Sequence, residues 1–327
     1  MKYRQFGKTK SKVSEVGMGC WAIGGSAFGN SYGPTDDAES IKAVKKAAEL
    51  GCTFFDTADV YGHGHSEELL GLALQKIRSS VMIATKAGGS YIYGQGAAIV
   101  QDSEEHGSSR MYNNESWGHI NFSQEYINFA VEQSLHRLRT NYIDVYQLHN
   151  PPLRMIQEGE VFKPLRELQK QGKIRHVGVS VFTLDEGIAA LEHADSVQCV
   201  FNMLDPRNYE LMETAKRRGA AIIVREPLAN GFLSGKYNGK STFDKSDIRS
   251  RMPQEYIEEM TELVQEMKKK FAQRQATMAQ IALRYVLAFD CVTSVIPGAK
   301  TAEQAEENMR TSEIAPLTEE EMNFLGS

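Results

Sequence analysis

Cysteine is scarce and scattered. Cys20, Cys52, Cys199 and Cys291 show no C-x-x-C spacing and no histidine-rich partner segment, which argues against a disulfide framework or a zinc finger and leaves reduced, mostly buried thiols. Basic charge is not in excess either: a formal net charge of −5 argues against a nucleic-acid surface, which wants a basic face. No run approaches the roughly 18 apolar residues that a membrane span requires. The opening Met1-Lys2-Tyr3-Arg4-Gln5-Phe6 has no apolar h-region, so no signal peptide is expected. No linker, low-complexity tract or composition shift divides the 327 residues. The expectation is a soluble, cytoplasmic protein with a single domain over residues 1–327, a length that α/β barrels reach as one unit. Such a chain buries roughly 75% of its unfolded surface and needs no covalent staple.

What is present is an alternation. Short apolar runs of strand character fall at Val16–Gly19, Thr53–Asp56, Val81–Lys86, Ile143–His149, His176–Ser180, Val197–Asn202, Ala221–Glu226 and Val292–Pro297. Between them lie stripes of helical period, such as Leu69, Leu70, Ala73, Leu74, Ile77 and Ile127, Ala130, Val131, Ser134, Leu135, Leu138. Thr35, Ser66, Ser123, Thr183 and Thr301-x-x-Gln304 read as helix N-caps. Gly51, Gly172 and Gly219 suit the position just after a helix.

Eight β/α alternations predict a doubly wound sheet or a closed (β/α)₈ barrel. The lack of a dinucleotide fingerprint after the first strand favours the barrel. Lys2–Phe6 and Lys12–Glu15 around Gly7-Lys8-Thr9 read as a hairpin closing the barrel's bottom. Two long connections, Gly88–Phe122 and Leu228–Pro253, follow the third and seventh strands, on the side where barrels carry their sites.

Asp56, Lys86 and His149 end three neighbouring strands, and Tyr61 lies just beyond Asp56. A structural ion pair is the plain reading. The chemical one is a tyrosine whose pKa, near 10 unaided, is lowered by an adjacent ammonium. A carboxylate would hold that ammonium, and an imidazole would face the substrate oxygen, a set suited to donating a proton to a carbonyl. His63-Gly64-His65 with Glu67 and Glu68 lies in a glycine-flanked loop and reads as a loop near the substrate entrance or as solvated polarity rather than a metal site. Glu303–Glu307 and Glu319–Glu321 read as solvated helix faces. Trp21 is either core or a wall of the cleft. Trp117, Tyr91, Tyr93 and Tyr112 cluster in the first long loop and are candidates for a substrate wall.

Phe55-Asp56-Thr57-Ala58-Asp59-Val60-Tyr61-Gly62, followed by Ser66-Glu67-Glu68-Leu69-Leu70-Gly71, resembles the signature of the aldo-keto reductases. So do Ile83-Ala84-Thr85-Lys86, Tyr142-Ile143-Asp144-Val145 with Gln147-Leu148-His149, Gly172-Lys173-Ile174-Arg175 through Gly178-Val179-Ser180, and Ile296-Pro297-Gly298-Ala299-Lys300 with Glu307-Asn308. The resemblance covers essentially the whole chain and is nearest to the bacterial branch that also resembles potassium-channel β subunits.

The resemblance implies a (β/α)₈ barrel that reduces an aldehyde or ketone with hydride from NADPH, NADH being the lesser choice, and it implies no metal. The catalytic tetrad would be Asp56, Tyr61, Lys86 and His149, with Tyr61 as general acid. Ser180 and Gln198 would bond the cofactor's carboxamide, but Val181 stands where the family has asparagine. Arg225 replaces the aromatic that stacks on the nicotinamide, and its planar guanidinium could stack there instead. Pro227, Leu228, Gly231, Leu233, Gly235 and Lys236 belong to the segment resembling the loop over the pyrophosphate. Gly298 and Lys300, just before a helix N-terminus, suit the 2′-phosphate, and Gln304, Glu307 and Asn308 would reach the adenosine. Trp21 joins them as a candidate cleft residue. The channel relatives raise a second reading, a cofactor-binding regulatory subunit with weak turnover. The substrate is a small carbonyl compound that the sequence does not name, and monomer and homo-oligomer both stay open.

Overall fold

The structure, a computed structural model, describes residues 1–27, 31–90 and 119–325. The chain begins with an antiparallel hairpin, β1 (Tyr3–Gln5) and β2 (Lys12–Ser14), in which Arg4 faces Val13. Then β3 (Met18–Gly19), α1 (Asp37–Glu49), β4 (Phe54–Asp56), α2 (His65–Leu74) and β5 (Met82–Ala87) follow. A short antiparallel ladder joins β6 (Gly89–Ser90) to β7 (His119–Ile120). Next come α3 (Gln124–Arg137), β8 (Ile143–His149), α4 (Leu153–Glu158), α5 (Lys163–Lys170), β9 (Ile174–Ser180) and α6 (Leu184–Ala190). The remainder runs β10 (Ser196–Val200), α7 (Tyr209–Arg218), β11 (Ala221–Arg225), α8 (Gln254–Lys270), α9 (Met278–Leu287), β12 (Ser294–Val295), α10 (Ala302–Arg310) and α11 (Glu319–Leu325).

Eight strands form one parallel sheet in the order β3-β4-β5-β8-β9-β10-β11-β12. Parallel bridges from Val16 to Val295 and from Gly19 to Gly298 bring its two ends together. The fold is therefore the (β/α)₈ barrel, with all eight strands where the apolar runs place them.

The alternation of side chains along a strand sorts the core in two. Phe54, Met82, Ala84, Val145, Ala221, Ile223 and Ile296 form an inner cluster, to which the hairpin adds Phe6 and Val13. Their strand neighbours Phe55, Ile83, Tyr146, Ile222 and Val224 pack in the larger cluster shared with the helices. The hairpin plugs the bottom of the barrel, as its sequence predicts.

Some local expectations fail. Asp36, not Thr35, caps α1 through the Glu39 N–H, and α2 starts from Gly64 rather than Ser66. Ser66 Oγ instead donates to the Cys20 carbonyl, inside the fold. Ser123, Thr183 and Thr301 do cap their helices. Gln304, however, reaches past the cap and accepts from the Lys300 N–H at 2.8 Å. Ile77 falls outside the apolar stripe and is 39% exposed, because α2 ends at Leu74 and the 3₁₀ turn after it breaks the period. Tyr91, Tyr93, Tyr112 and Trp117 lie outside the described residues. The second long connection contains two 3₁₀ turns, Ala229–Ser234 and Ile248–Arg251. The four cysteines are free and buried. Among the described residues no helix is long and apolar enough to cross a membrane.

Candidate active site

The inward face of the barrel carries the site by simple parity. Two residues beyond Phe54 comes Asp56, and two beyond Ala84 comes Lys86. In β8 the inward series Val145, Gln147, His149 ends in the imidazole, and in β11 Ala221, Ile223, Arg225 ends in the guanidinium. Each of these four strands starts apolar at the plugged end and finishes polar at the open one.

At that rim Lys86 Nζ lies 2.5 Å from Asp56 Oδ1, donates to the Thr57 carbonyl at 2.9 Å, and donates to the Tyr61 hydroxyl at 3.2 Å. The amides of Gln147 and Gln198 donate to Asp56 Oδ2 at 2.9 and 2.7 Å. Lys86 and Asp56 are thus a buried pair with their remaining capacity filled, which is the condition for a buried ion pair to be tolerated. The Tyr61 ring meets the His149 ring edge-on with centroids 6.0 Å apart.

Burial works against the charge on Lys86, but Asp56 and Tyr61 outweigh it and its pKa is raised. Burial pushes the Tyr61 phenol above its ordinary value. Lys86 pulls it down and Asp56 pushes it up, and the net direction is upward. The lowering expected of Lys86 is present as a contribution, then, but burial overrides it. His149 is held well below the usual range by burial first, then by Lys86 and Arg225. At neutral pH the set is a protonated phenol, an ammonium and a neutral imidazole.

A cavity of about 310 Å³ opens over these groups. Trp21, Tyr61, His149, Asn150, Phe182 and Arg225 line one part of it. Lys236, Arg249, Lys300, Gln304, Glu307 and Asn308 line another. Trp21 is therefore a cleft residue, its ring 4.8 Å from that of Tyr32 and 6.1 Å from that of Tyr61.

A model of the Aldo/keto reductase family matches residues 16–326. The chain belongs to the aldo/keto reductase family. It is 30% identical to the uncharacterized oxidoreductase YqkF of Bacillus subtilis, an alignment covering 100% of this chain and 96% of that protein. It is 31% identical to the aldo-keto reductase YhdN of the same organism, over 94% of this chain and 87% of that one. Among solved structures, the holo form of aldo-keto reductase AKR11C1 from Bacillus halodurans matches with a TM-score of 0.77 and 28% identity, covering 99% of this chain and 95% of that one. The protein is an NAD(P)H-dependent oxidoreductase of this family.

The aldo/keto reductase barrel gathers most of the residues marked in its sequence. Gln198, Arg225, Pro227, Leu228, Gly231, Lys236, Gly298, Lys300, Gln304, Glu307 and Asn308 all reach the cavity wall. Leu233 does not: it is buried in the main core. Gly235 ends a 3₁₀ turn with φ 70 against Lys268 and Met278. Lys86 lies behind the wall, fully buried. Ser180 is also fully buried, and its Oγ has no hydrogen-bond partner, an orphaned group of the kind a ligand amide completes. Gln198 has committed its amide nitrogen to Asp56 and Gln147, so its carbonyl oxygen is what it can offer. Arg225 pairs with Glu226, donates to the Val181 carbonyl at 3.2 Å and stands 4.8 Å over the Phe182 ring. The guanidinium is thereby fixed at the cavity wall.

Lys300 Nζ is held by the carbonyls of Tyr32, Gly33 and Pro34. Its pKa is lowered, by burial first and also by the neighbouring cations Arg249 and Lys236, while Asp247 acts the other way. Lys236, Arg249 and Lys300 line the cavity together, Lys300 directly before the Thr301 cap of α10 and Arg249 paired with Asp247 at 2.6 Å. His65 pairs with Asp37 at 2.8 Å.

Sequence reasoning missed Gln147, Asn150, Phe182, Tyr32 and Arg249. Gln147 was signalled by parity, being two residues before His149. Tyr32 and Arg249 were not signalled, since loops far apart in the chain bring them to the cavity, where Arg249 stacks 4.9 Å over the Tyr32 ring.

Proposed function

We propose that the protein reduces an aldehyde or ketone to the alcohol with NADPH, Tyr61 acting as general acid. The observation that carries this reading is the single Lys86 ammonium shared between Asp56 and Tyr61. The phenol keeps its proton at neutral pH, so it has one to give. When the carbonyl oxygen takes that proton, the tyrosinate left behind faces Lys86, whose charge Asp56 secures. His149, kept neutral, orients the carbonyl oxygen. The bound cofactor supplies hydride from its reduced nicotinamide.

Ser180 and the carbonyl of Gln198 are placed to receive the carboxamide, and Arg225 to flank the ring. Lys236, Arg249 and Lys300 support the phosphorylated cofactor. Relatives of both kinds occur, a NADH-specific methylglyoxal reductase of Escherichia coli and the aldo-keto reductase yakc [NADP(+)] of Schizosaccharomyces pombe, so the preference for NADPH rests on these cations alone. The intact tetrad favours an enzyme over a regulatory subunit.

The test is transfer of label from 4-deuterated NADPH into the alcohol formed from a generic aldehyde such as 4-nitrobenzaldehyde. Binding of NADPH without its oxidation by any member of an aldehyde panel would refute the reading.

A further inference from the structure

Asn150 directly follows His149 and lines the same cavity as Tyr61 and His149. Its backbone is fixed: φ is 55, and its N–H donates to the Ser180 carbonyl at 2.9 Å. Asparagine tolerates that left-handed conformation better than most residues, but glycine would do so without any amide. The side chain is what needs explaining. Its Oδ1 is buried and has no hydrogen-bond partner, and no hydrogen bond of its Nδ2 to a described residue exists either. Arg225, on the same cavity wall, is held by Glu226 and the Val181 carbonyl.

We propose that Asn150 receives a hydroxyl group on the carbon next to the substrate carbonyl, so that the enzyme favours hydroxyaldehydes and hydroxyketones over their plain counterparts. The inference rests on the reductase reading. If His149 holds the carbonyl oxygen, the next residue, one Cα step of about 3.8 Å away, stands beside the neighbouring carbon. An amide donates and accepts, as a hydroxyl does. Discrimination then acts mainly by rejection, because a substrate with a methyl in place of the hydroxyl leaves the buried amide oxygen unpaired.

Hydroxyacetone and butanone are a matched pair, alike in size and differing by that one group. The experiment measures kcat/KM for both ketones, turnover of 4-nitrobenzaldehyde, and the NADPH Kd by fluorescence titration, in wild type, Asn150→Gly and Asn150→Asp. Wild type is expected to prefer hydroxyacetone by at least about tenfold. Asn150→Gly keeps the backbone conformation and is expected to bring the ratio to within about threefold of unity through KM, with the NADPH Kd unchanged. Asn150→Asp, which retains only acceptors, should keep part of the preference. A wild type without preference, or a ratio unchanged in Asn150→Gly, overturns the proposal. So does an Asn150→Gly variant that binds NADPH more weakly at an unaltered ratio, since the amide then serves the cofactor. Failure to reduce even 4-nitrobenzaldehyde while NADPH binds would instead refute the reductase reading, and this inference with it.

Discussion

The Tyr61 hydroxyl accepts a hydrogen bond from Lys86 at 3.2 Å, yet its pKa is raised rather than lowered. Burial outweighs the cation. The consequence is a phenol that stays protonated through the neutral range, beside an imidazole that stays neutral.

The pH profile follows from those two directions. Tyr61 lies above its usual value near 10 and His149 well below its usual value near 6.5. In reduction, kcat/KM is therefore expected to be level between about pH 7 and pH 9 and to fall only as Tyr61 ionises at higher pH. Initial rates across that range check it. A break near pH 6.5 that vanishes in His149→Asn would show that the imidazole titrates in the working enzyme.

Lys86→Met removes the cation from a buried pair and strands Asp56. The expected cost is about 3–5 kcal/mol in urea unfolding, with turnover reduced by at least about 10²-fold. The double variant Asp56→Asn/Lys86→Met removes the stranded charge and should regain much of the stability but none of the activity. Equal destabilisation of single and double variants would contradict the pairing.

Asp59 lies beside this site, 1% exposed, with a pKa raised well above the usual carboxylate value. Burial is the main cause and Glu67 adds to it, against Arg137. In the unfolded chain the group loses its proton near pH 3.9, whereas the folded chain still holds it there. The native state thus binds more protons, and this residue's contribution to stability falls as pH rises above about 3.9. Asp59→Asn mimics the neutral form, so its melting temperature should exceed that of wild type at pH 7, with the gap closing towards pH 4. A lower melting temperature than wild type at pH 7 would show that the native state needs the carboxylate.

Gly62, the residue after Tyr61, packs tightly against the Gly24 backbone. It has φ 60, and a Cβ there would lie 2.1 Å from the Gly24 carbonyl oxygen. Gly62→Ala combines an unfavourable backbone conformation with a backbone clash. It is expected to destabilise by more than about 1 kcal/mol and to lower kcat by moving the phenol. Thermal melts and rates measured together test this, and wild-type values for both would contradict it.

The barrel was legible because short apolar runs and helical period are written locally. The ends of three neighbouring runs placed Asp56, Lys86 and His149 on one rim. It was the resemblance, however, that turned them from an ion pair into a tetrad. The direction of the Tyr61 pKa was not legible, since burial depends on the walls that distant loops build around it. Helix starts were misjudged where a competing partner took the side chain, as the Cys20 carbonyl does with Ser66. Asn150 was overlooked because its signal is an unmet hydrogen bond, which exists only in three dimensions.

The most direct test is NADPH oxidation by Tyr61→Phe with a generic aldehyde, alongside its NADPH Kd. The expected result is turnover lower by about 10²–10⁴-fold with the Kd unchanged. Turnover equal to wild type would contradict the assignment of Tyr61 as the acid.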